Sequence, residues 1–576
     1  PNCTDIMDPE LLEPDSMTIS GSVAGSTLTI NDADLTQPDG YWDGAIIHAN
    51  WAPRYHATTA TVTSYTTGQL VATVHSAVST DTTYCVYYLL GCYNGLDEAG
   101  EWFYDSDTGT LYLWAPGGGA PTNVEAKARQ YAFDLSGLSN IQIEDLSLFA
   151  STILTDEDCQ SITIDNLAAQ YVSHYSKIDE GGMGTGEKGV RDSGIILDGQ
   201  NHTIQNSAVS WSAGNGIALL GDNCTVANCE IQAVNYKITD CAAVHTGYRQ
   251  TVNNAVMDCV LYNTGREHIV HTNAHAMQIL RNEMYDNRAG GIPWDMGATY
   301  CIGTDGKGTE IAYNNIHDIR GKGVYLDYSH CNFLIHHNVV WNVSSAHTAY
   351  GIMMNNPSES IYIYNNTLPD STIHTSDQFG IGVVDVRVIN NITKRLVPYR
   401  DPWPAGATTE NNIEIGIDAV LVDPLFAGHN VETGVGVDFT LQPDSPAIDA
   451  GQDLGYSEDI LSNPVKGPPD IGAYEYASAA VTYTLGTTAV AGSVTKSPDK
   501  SVYGSGESVV LGAVADVGYS FANWSGDLTG SSNPATITMD SDKTVTANFE
   551  GLSYTLVVAG DHGTVTRTPD RAAYSY

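Results

Sequence analysis

The chain has 576 residues, and its 24 Lys and Arg stand against 67 Asp and Glu, a formal net charge of −43. That length exceeds one compact core and leaves room for two or three domains. Such acidity repels nucleic acid and anionic membranes, and no run of about 18 apolar residues supplies a membrane span. It suits a protein that stays soluble in salt or holds divalent cations. Fifty-six Gly and 33 Tyr, with abundant Asn and Thr, point to strands broken by tight turns. The chain starts at Pro1 without Met, and sequons occur at Asn201, Asn223, Asn342 and Asn391. Together they suggest a processed, exported protein in an oxidising compartment. On that reading Cys85 and Cys92 could staple a hairpin, and Cys301 with Cys331, or Cys229 with Cys259, occupy matching places in neighbouring repeats.

Residues 1–130 form a β-rich N-terminal region. Within it "EWFYDSDTGTLYLWAPGG" is expected to be a hairpin turning at Asp105–Gly109. The D-x-D-x-G spacing is that of a calcium loop, but no Glu follows at the required distance, which favours a simple turn. Structural calcium stays open, and no other cofactor is expected.

Residues 131–476 are dominated by repetition. The phrase apolar-x-x-Asn-x-apolar recurs, and its fourth position holds Ser207, Cys229, Cys259, Asn282, Asn314, Asn338, Asn366 and Asn391, at intervals of 22 to 32 residues. Most of these corners are preceded by a second phrase, Gly-apolar-x-apolar, as in "GIIL", "GIAL" and "GVYL". Two short strands per repeat, with no 3.6-residue period, exclude an α-solenoid, and the uneven intervals exclude a propeller. The expected class is all-β, a right-handed parallel β-helix, because each coil buries its inward side chains only against neighbours above and below. The corner Asn residues would stack, bonding along the ladder and tolerating a left-handed backbone.

After the linker "ASAAVT", residues 483–550 read as a small β repeat. Residues 554–576 begin a second copy, since Tyr483 matches Tyr554 and Pro498 matches Pro569. The copy stops partway, which points to a longer protein with further modules for spacing, surface attachment or self-assembly.

The hairpin, "IAYNNIHDI", "GVYLDYSHCNFLIHHNVVWNV" and the closing "DSPAIDAG…DIGAYEY" together resemble secreted bacterial right-handed β-helix proteins of the polysaccharide-degrading, glycoside hydrolase-like superfamily. The C-terminal units resemble divergent InlB-type repeats. The resemblance covers nearly the whole chain and implies an extracellular or cell-surface location and a polysaccharide partner. It leaves the chemistry open, because the superfamily also holds lyases, epimerases and non-catalytic surface proteins.

Stacked coils place equivalent outward side chains about 4.8 Å apart, a shallow groove suited to a polymer. Aligning "GIPWDMG" with "GVYLDYS" puts Asp295 and Asp327 on adjacent rungs. Carboxylates about 5 Å apart suit a retaining glycosidase, and a wider gap suits an inverting one. Asp-containing corners can equally be plain turns, and Asp198 falls in the same column. Trp294, Tyr325 and Tyr328 would stack on sugar, while His245 and His271, aligned in "AAVHTG" and "HIVHTN", would bond its hydroxyls or simply stack as structure. No metal site is expected, since the His268–His271 spacing splits them between strand faces. Arg266 could take a carboxylate or sulfate, but cations near the groove, Lys322 among them, are few. The expected function is therefore a glycoside hydrolase. The alternatives are a polysaccharide lyase and a non-catalytic adhesive or filament-forming surface protein.

Overall fold

The computed structural model describes residues 12, 14–21, 23–51, 56–75, 85–122, 124–127, 129–174, 177, 194–236, 240–246, 249–287, 296–344, 349–355, 357–376, 382–398, 406–416, 422–431, 435–476 and 482–575. It divides into two compact units, Pro1–Tyr476 and Ala477–Tyr576.

The first unit opens with an antiparallel sheet of six strands, in the order Ser16–Ser20, Thr27–Asn31, Gln69–Val74, His56–Thr66, Ile46–Trp51, Val86–Leu90. Period-two sequences such as "TLTIN" bury Leu28 and Ile30 against Trp42, Ile47 and Leu70, so the alternation makes one face core. The hairpin then pairs Trp102–Asp105 with Thr110–Leu113. Its turn is held by Asp105, whose carboxylate accepts the Asp107 N–H at 3.0 Å and the Thr108 hydroxyl at 2.7 Å. Asx-turn bonding of this kind is what the D-x-D-x-G stretch does here.

From Tyr131–Asp134 onward the strands stack in parallel as a β-helix of about nine coils. Three strand faces recur. Face I includes Gln278–Leu280, Asp305–Ala312 and His330–His336; face II includes Glu283–Asn287, Asn315–Arg320 and Val339–Ser344; face III includes Gly297–Ile302, Lys322–Asp327 and Tyr350–Asn355. Inward side chains form one continuous core, to which one coil gives Val324, Leu326, Phe333 and Ile335. Burying each such side chain stabilises by roughly 1.5–3 kcal/mol, and only the neighbouring coils provide that burial.

The corner between faces I and II carries the expected ladder. Each Asn side-chain oxygen accepts the backbone N–H of the ladder residue one coil earlier: Asn282 to Cys259 at 3.0 Å, Asn314 to Asn282 at 2.9 Å, Asn338 to Asn314 at 3.0 Å, Asn366 to Asn338 at 3.0 Å and Asn391 to Asn366 at 2.9 Å. Asn412 extends the column past Asn391. At the other end Ser207 and Cys259 do the same job with a hydroxyl and a thiol. One expectation needs correcting. The left-handed residue is the one before each ladder position, so Arg281, Tyr313 and His337 take φ of 55°, 59° and 51°. The chain bends at that residue so that the next side chain can point inward and reach two backbones. A left-handed non-Gly residue costs about 1–2 kcal/mol, which the ladder bonds offset.

The thiol pairings are corrected too. Cys92, Cys229, Cys259, Cys301 and Cys331 are free. Cys229 and Cys259 serve the ladder and Cys301 the core, so their alignment reflects stacking and no cross-link. Asn391 is fully buried in the ladder, which closes its sequon to modification.

The second unit has two three-stranded sheets, Leu485–Ala489, Lys543–Gly551, Tyr519–Gly526 and Gly492–Ser497, Ser508–Ala515, Ala535–Thr538. Leu485, Val509, Leu511, Ile537 and Val545 pack around Trp524, whose indole N–H donates to the Ser532 carbonyl at 2.8 Å. Residues 554–575 add only the short pair Ser553–Tyr554 with Tyr574–Ser575. Among the described residues of both units, no helix is long and apolar enough to cross a membrane.

Candidate active site

Face III carries the expected groove residues, and its register decides which of them meet. In Lys322–Asp327, Val324 and Leu326 point inward, so Tyr325 and Asp327 point out. The preceding coil sets Tyr300 beside Tyr325 and Ile302 beside Asp327. The following coil sets Met353 beside Tyr325. Asp327 is therefore stacked on Ile302 rather than on Asp295. Aligning "GIPWDMG" on its first Gly misplaces the coil, because the strand that pairs is Gly297–Ile302. Trp294 and Asp295 lie outside the described residues.

Asp327 is half-buried and sits at the centre of a polar cluster drawn from three coils. Its carboxylate accepts the Tyr300 hydroxyl at 3.1 Å, the Tyr325 hydroxyl at 3.0 Å and the Asn355 amide at 2.7 Å. The same Asn355 amide also donates to the Tyr325 hydroxyl at 2.7 Å. Below them lies the buried Lys322, its Nζ 3.7 Å from the centre of the Tyr325 ring. These donors orient the carboxylate, and the ammonium supplies the positive charge of the cluster. The backbone turns sharply just past it, with Tyr328 and Ser329 at φ of 24° and 61°. On that turn Tyr328 is 43% exposed.

The remaining expected residues are placed differently. Tyr325 points out of the β-helix but is only 3% exposed, its ring packed in a small cluster with Ala242, Val270 and Tyr300, so it offers no open face for stacking on sugar. His245 pairs with Val270, which leaves His271 one residue out of register. Because side chains alternate, one residue of offset puts the two rings on opposite faces. His271 faces the core against Phe333, 5.8 Å between ring centres, and both rings are fully buried. Neither His lines a surface groove. Burial pushes His245 down to about 4 and His271 down to about 3, since charging them would require desolvating an imidazolium. The Arg266 guanidinium is engaged by Asp240 at 2.8 Å and Glu267 at 2.8 Å, so it is not free to take an anionic sugar. Asp198 shares the outward column of Asp327 but is wholly buried in an ion pair with Arg249.

Tyr300 and Asn355 were not singled out from sequence. Their signal was present: Tyr300 and Tyr325 each stand two residues before the end of their strand, and matching "TYCI" to "VYLD" recovers the register.

The family model described as right handed beta helix region matches residues 157–368, and the one described as divergent InlB B-repeat domain matches residues 483–553. Residues 157–368 are thus a right-handed β-helix region and residues 483–553 a divergent InlB-type repeat. No curated protein matches this β-helix protein. Among solved structures it is similar to a pectate lyase, Pel9A, at 11% identity over 55% of this chain and 80% of that one, TM-score 0.38. It is also similar to a glycoside hydrolase at 11% identity over 71% and 78%, TM-score 0.36. A third is the A-module of the Azotobacter vinelandii mannuronan C-5 epimerase AlgE4, at 14% identity over 49% and 79%, TM-score 0.33.

Proposed function

We propose that this β-helix protein is an extracellular polysaccharide-degrading enzyme whose reaction centre lies at Asp327, on the outer side of face III. The observation that carries the reading is the half-buried Asp327 carboxylate, held by Tyr300, Tyr325 and Asn355 from three successive coils. A carboxylate positioned from several rungs suits a substrate that itself extends along the rungs. As a glycoside hydrolase, Asp327 would stabilise or attack the anomeric carbon as its positive charge develops, with Asp295 as the second carboxylate. A second reading, β-elimination on a uronate chain, is favoured by Lys322. In that reading Tyr325 would pass its phenolic proton to Asp327 and, as a phenolate stabilised by Lys322, take the proton beside the sugar carboxylate; the freed electron pair would form the double bond and expel the glycosidic oxygen, to which Asp327 would return a proton. The InlB-type unit would attach the enzyme to a surface.

Incubation with a panel of neutral and uronate polysaccharides, followed by product analysis, separates the readings. Hydrolysis gives reducing ends without a new double bond, and Asp327→Asn and Asp295→Asn each lower its rate by about 100-fold or more. Unsaturated, ultraviolet-absorbing ends, with Tyr325→Phe as the most damaging change, assign elimination. If neither product forms on any polymer, both enzymatic readings are wrong and the chain is a surface protein.

A further inference from the structure

Face II carries an outward column that the reaction centre does not use. Tyr262, Tyr285, His317 and Trp341 occupy register-matched positions of successive strands. Their ring centres are 5.0, 5.0 and 4.6 Å apart and their planes lie within 3°, 4° and 10° of parallel. The stack therefore follows the rung spacing of the sheet, about 4.8 Å, and runs along the helix axis. Its Trp341 end opens into a cleft of about 600 Å³. Glu283, His317 and Trp341 form one wall, and Phe439, Leu461 and Tyr474 form the other.

The cleft has the make-up of a sugar site. Apolar and aromatic walls are interrupted by a few convergent polar groups, and its volume falls within the range of about 300–1,000 Å³ usual for small-ligand sites. Trp341 ends the stack, with Phe439 at 6.0 Å and tilted by 52°, so two aromatic rings meet at an angle at the cleft. His317 is bracketed: its Nδ1 lies 2.7 Å from Asp318 and its Nε2 3.3 Å from Glu283, and both carboxylates are nearly half exposed. A half-exposed carboxylate beside an aromatic wall is a ready acceptor for sugar hydroxyls.

Charge narrows the occupant. Arg281, the cation of the lining, is already paired with Asp258 through Nε at 2.7 Å and Nη2 at 3.0 Å. Glu283, Asp286 and Asp318 leave this part of face II negative, which opposes a polyanion. We infer that this cleft is a second carbohydrate site, separate from the Asp327 face, which takes an uncharged glycan chain and leads it along the Tyr285 and Tyr262 rungs. The stacked rings cover one another's faces, so along the track the glycan meets ring edges.

The inference goes beyond the reaction proposed at Asp327 and does not depend on it, so the test uses the whole chain carrying Asp327→Asn, in which turnover is removed. Calorimetric titration with neutral hexasaccharides (β-1,4-glucan, β-1,3-glucan, xylan and mannan types) should find at least one that binds, more tightly than oligogalacturonate or oligoalginate. Val437, 62% exposed at the cleft rim, is changed to Trp to fill the space, and binding should be lost. Glu283→Gln, an isosteric change at a half-exposed site, should weaken binding by about tenfold. The inference is overturned if no neutral oligosaccharide binds, if an oligouronate binds more tightly, or if both variants bind like the parent. Loss of activity with binding intact bears on Asp327 alone.

Discussion

Replacing Asn338 by Ala tests whether the polar ladder holds the coils together. The Asn338 side chain makes four hydrogen bonds: its oxygen accepts the Asn314 backbone N–H at 3.0 Å and the Asn314 amide at 2.9 Å, and its amide donates to the Ile311 carbonyl at 2.8 Å and to Asn366 Oδ1 at 3.0 Å. All of them lie at a position with no solvent exposure. The truncation strands each partner without water, at about 1 kcal/mol per bond, so the expected loss is about 4 kcal/mol. Asn412 is the control. It makes three comparable bonds at the last rung, where it is partly exposed and water can replace it. Asn412→Ala should cost only about 1–2 kcal/mol. Urea denaturation followed by far-ultraviolet circular dichroism measures both, with the slope checked for constancy so that midpoints can be compared. Equal losses at the two sites, or a loss below about 1 kcal/mol at Asn338, would refute the argument that burial makes the ladder bonds matter.

Acidity should act on the core through histidine. Burial holds His271 and His330 at about 3 and His268 at about 4, below the ordinary 6.5. The unfolded chain therefore binds more protons, and stability should fall as pH drops below about 6.5, by up to about 1.4 kcal/mol per pH unit for each ring. A stability flat between pH 6.5 and 4.5 would contradict this. Glu475 works in the opposite direction, because burial, with Asp470, Asp459 and Asp449 nearby, pushes its carboxyl up to about 7. The folded state holds that proton more tightly, so stability drains away as pH rises from about 4.5 through 7. Glu475→Gln should therefore stabilise the protein at pH 8 and change little at pH 4, as thermal melts at the two values can check. In the native state a thiol reagent should label Cys92 and Cys331 first, and reach Cys229, Cys259 and Cys301 only on unfolding, by mass spectrometry of the labelled peptides.

The β-helix and its ladder were legible in the sequence because both are enforced locally and repeatedly. A coil that must stack needs an apolar alternation and a corner residue able to bond to its neighbours, and both needs recur every 22 to 32 residues as visible phrases. Val324, Leu326, Phe333 and Ile335 belong to the core for that reason. The site was less legible, because coil lengths vary and register is set by packing. An alignment starting from the wrong Gly paired Asp327 with Asp295, while the strands pair it with Ile302. An offset of one residue placed His245 and His271 on opposite faces. Sequence alone determined the fold class, the ladder and the existence of an outward Asp at 327. Only the tertiary structure decided that Tyr300, Asn355 and Lys322 gather around it, and that the rings of Tyr262, Tyr285, His317 and Trp341 stand in one stack. Side chains from different coils meet according to register, and register is fixed where inward side chains find room, not by any single repeat.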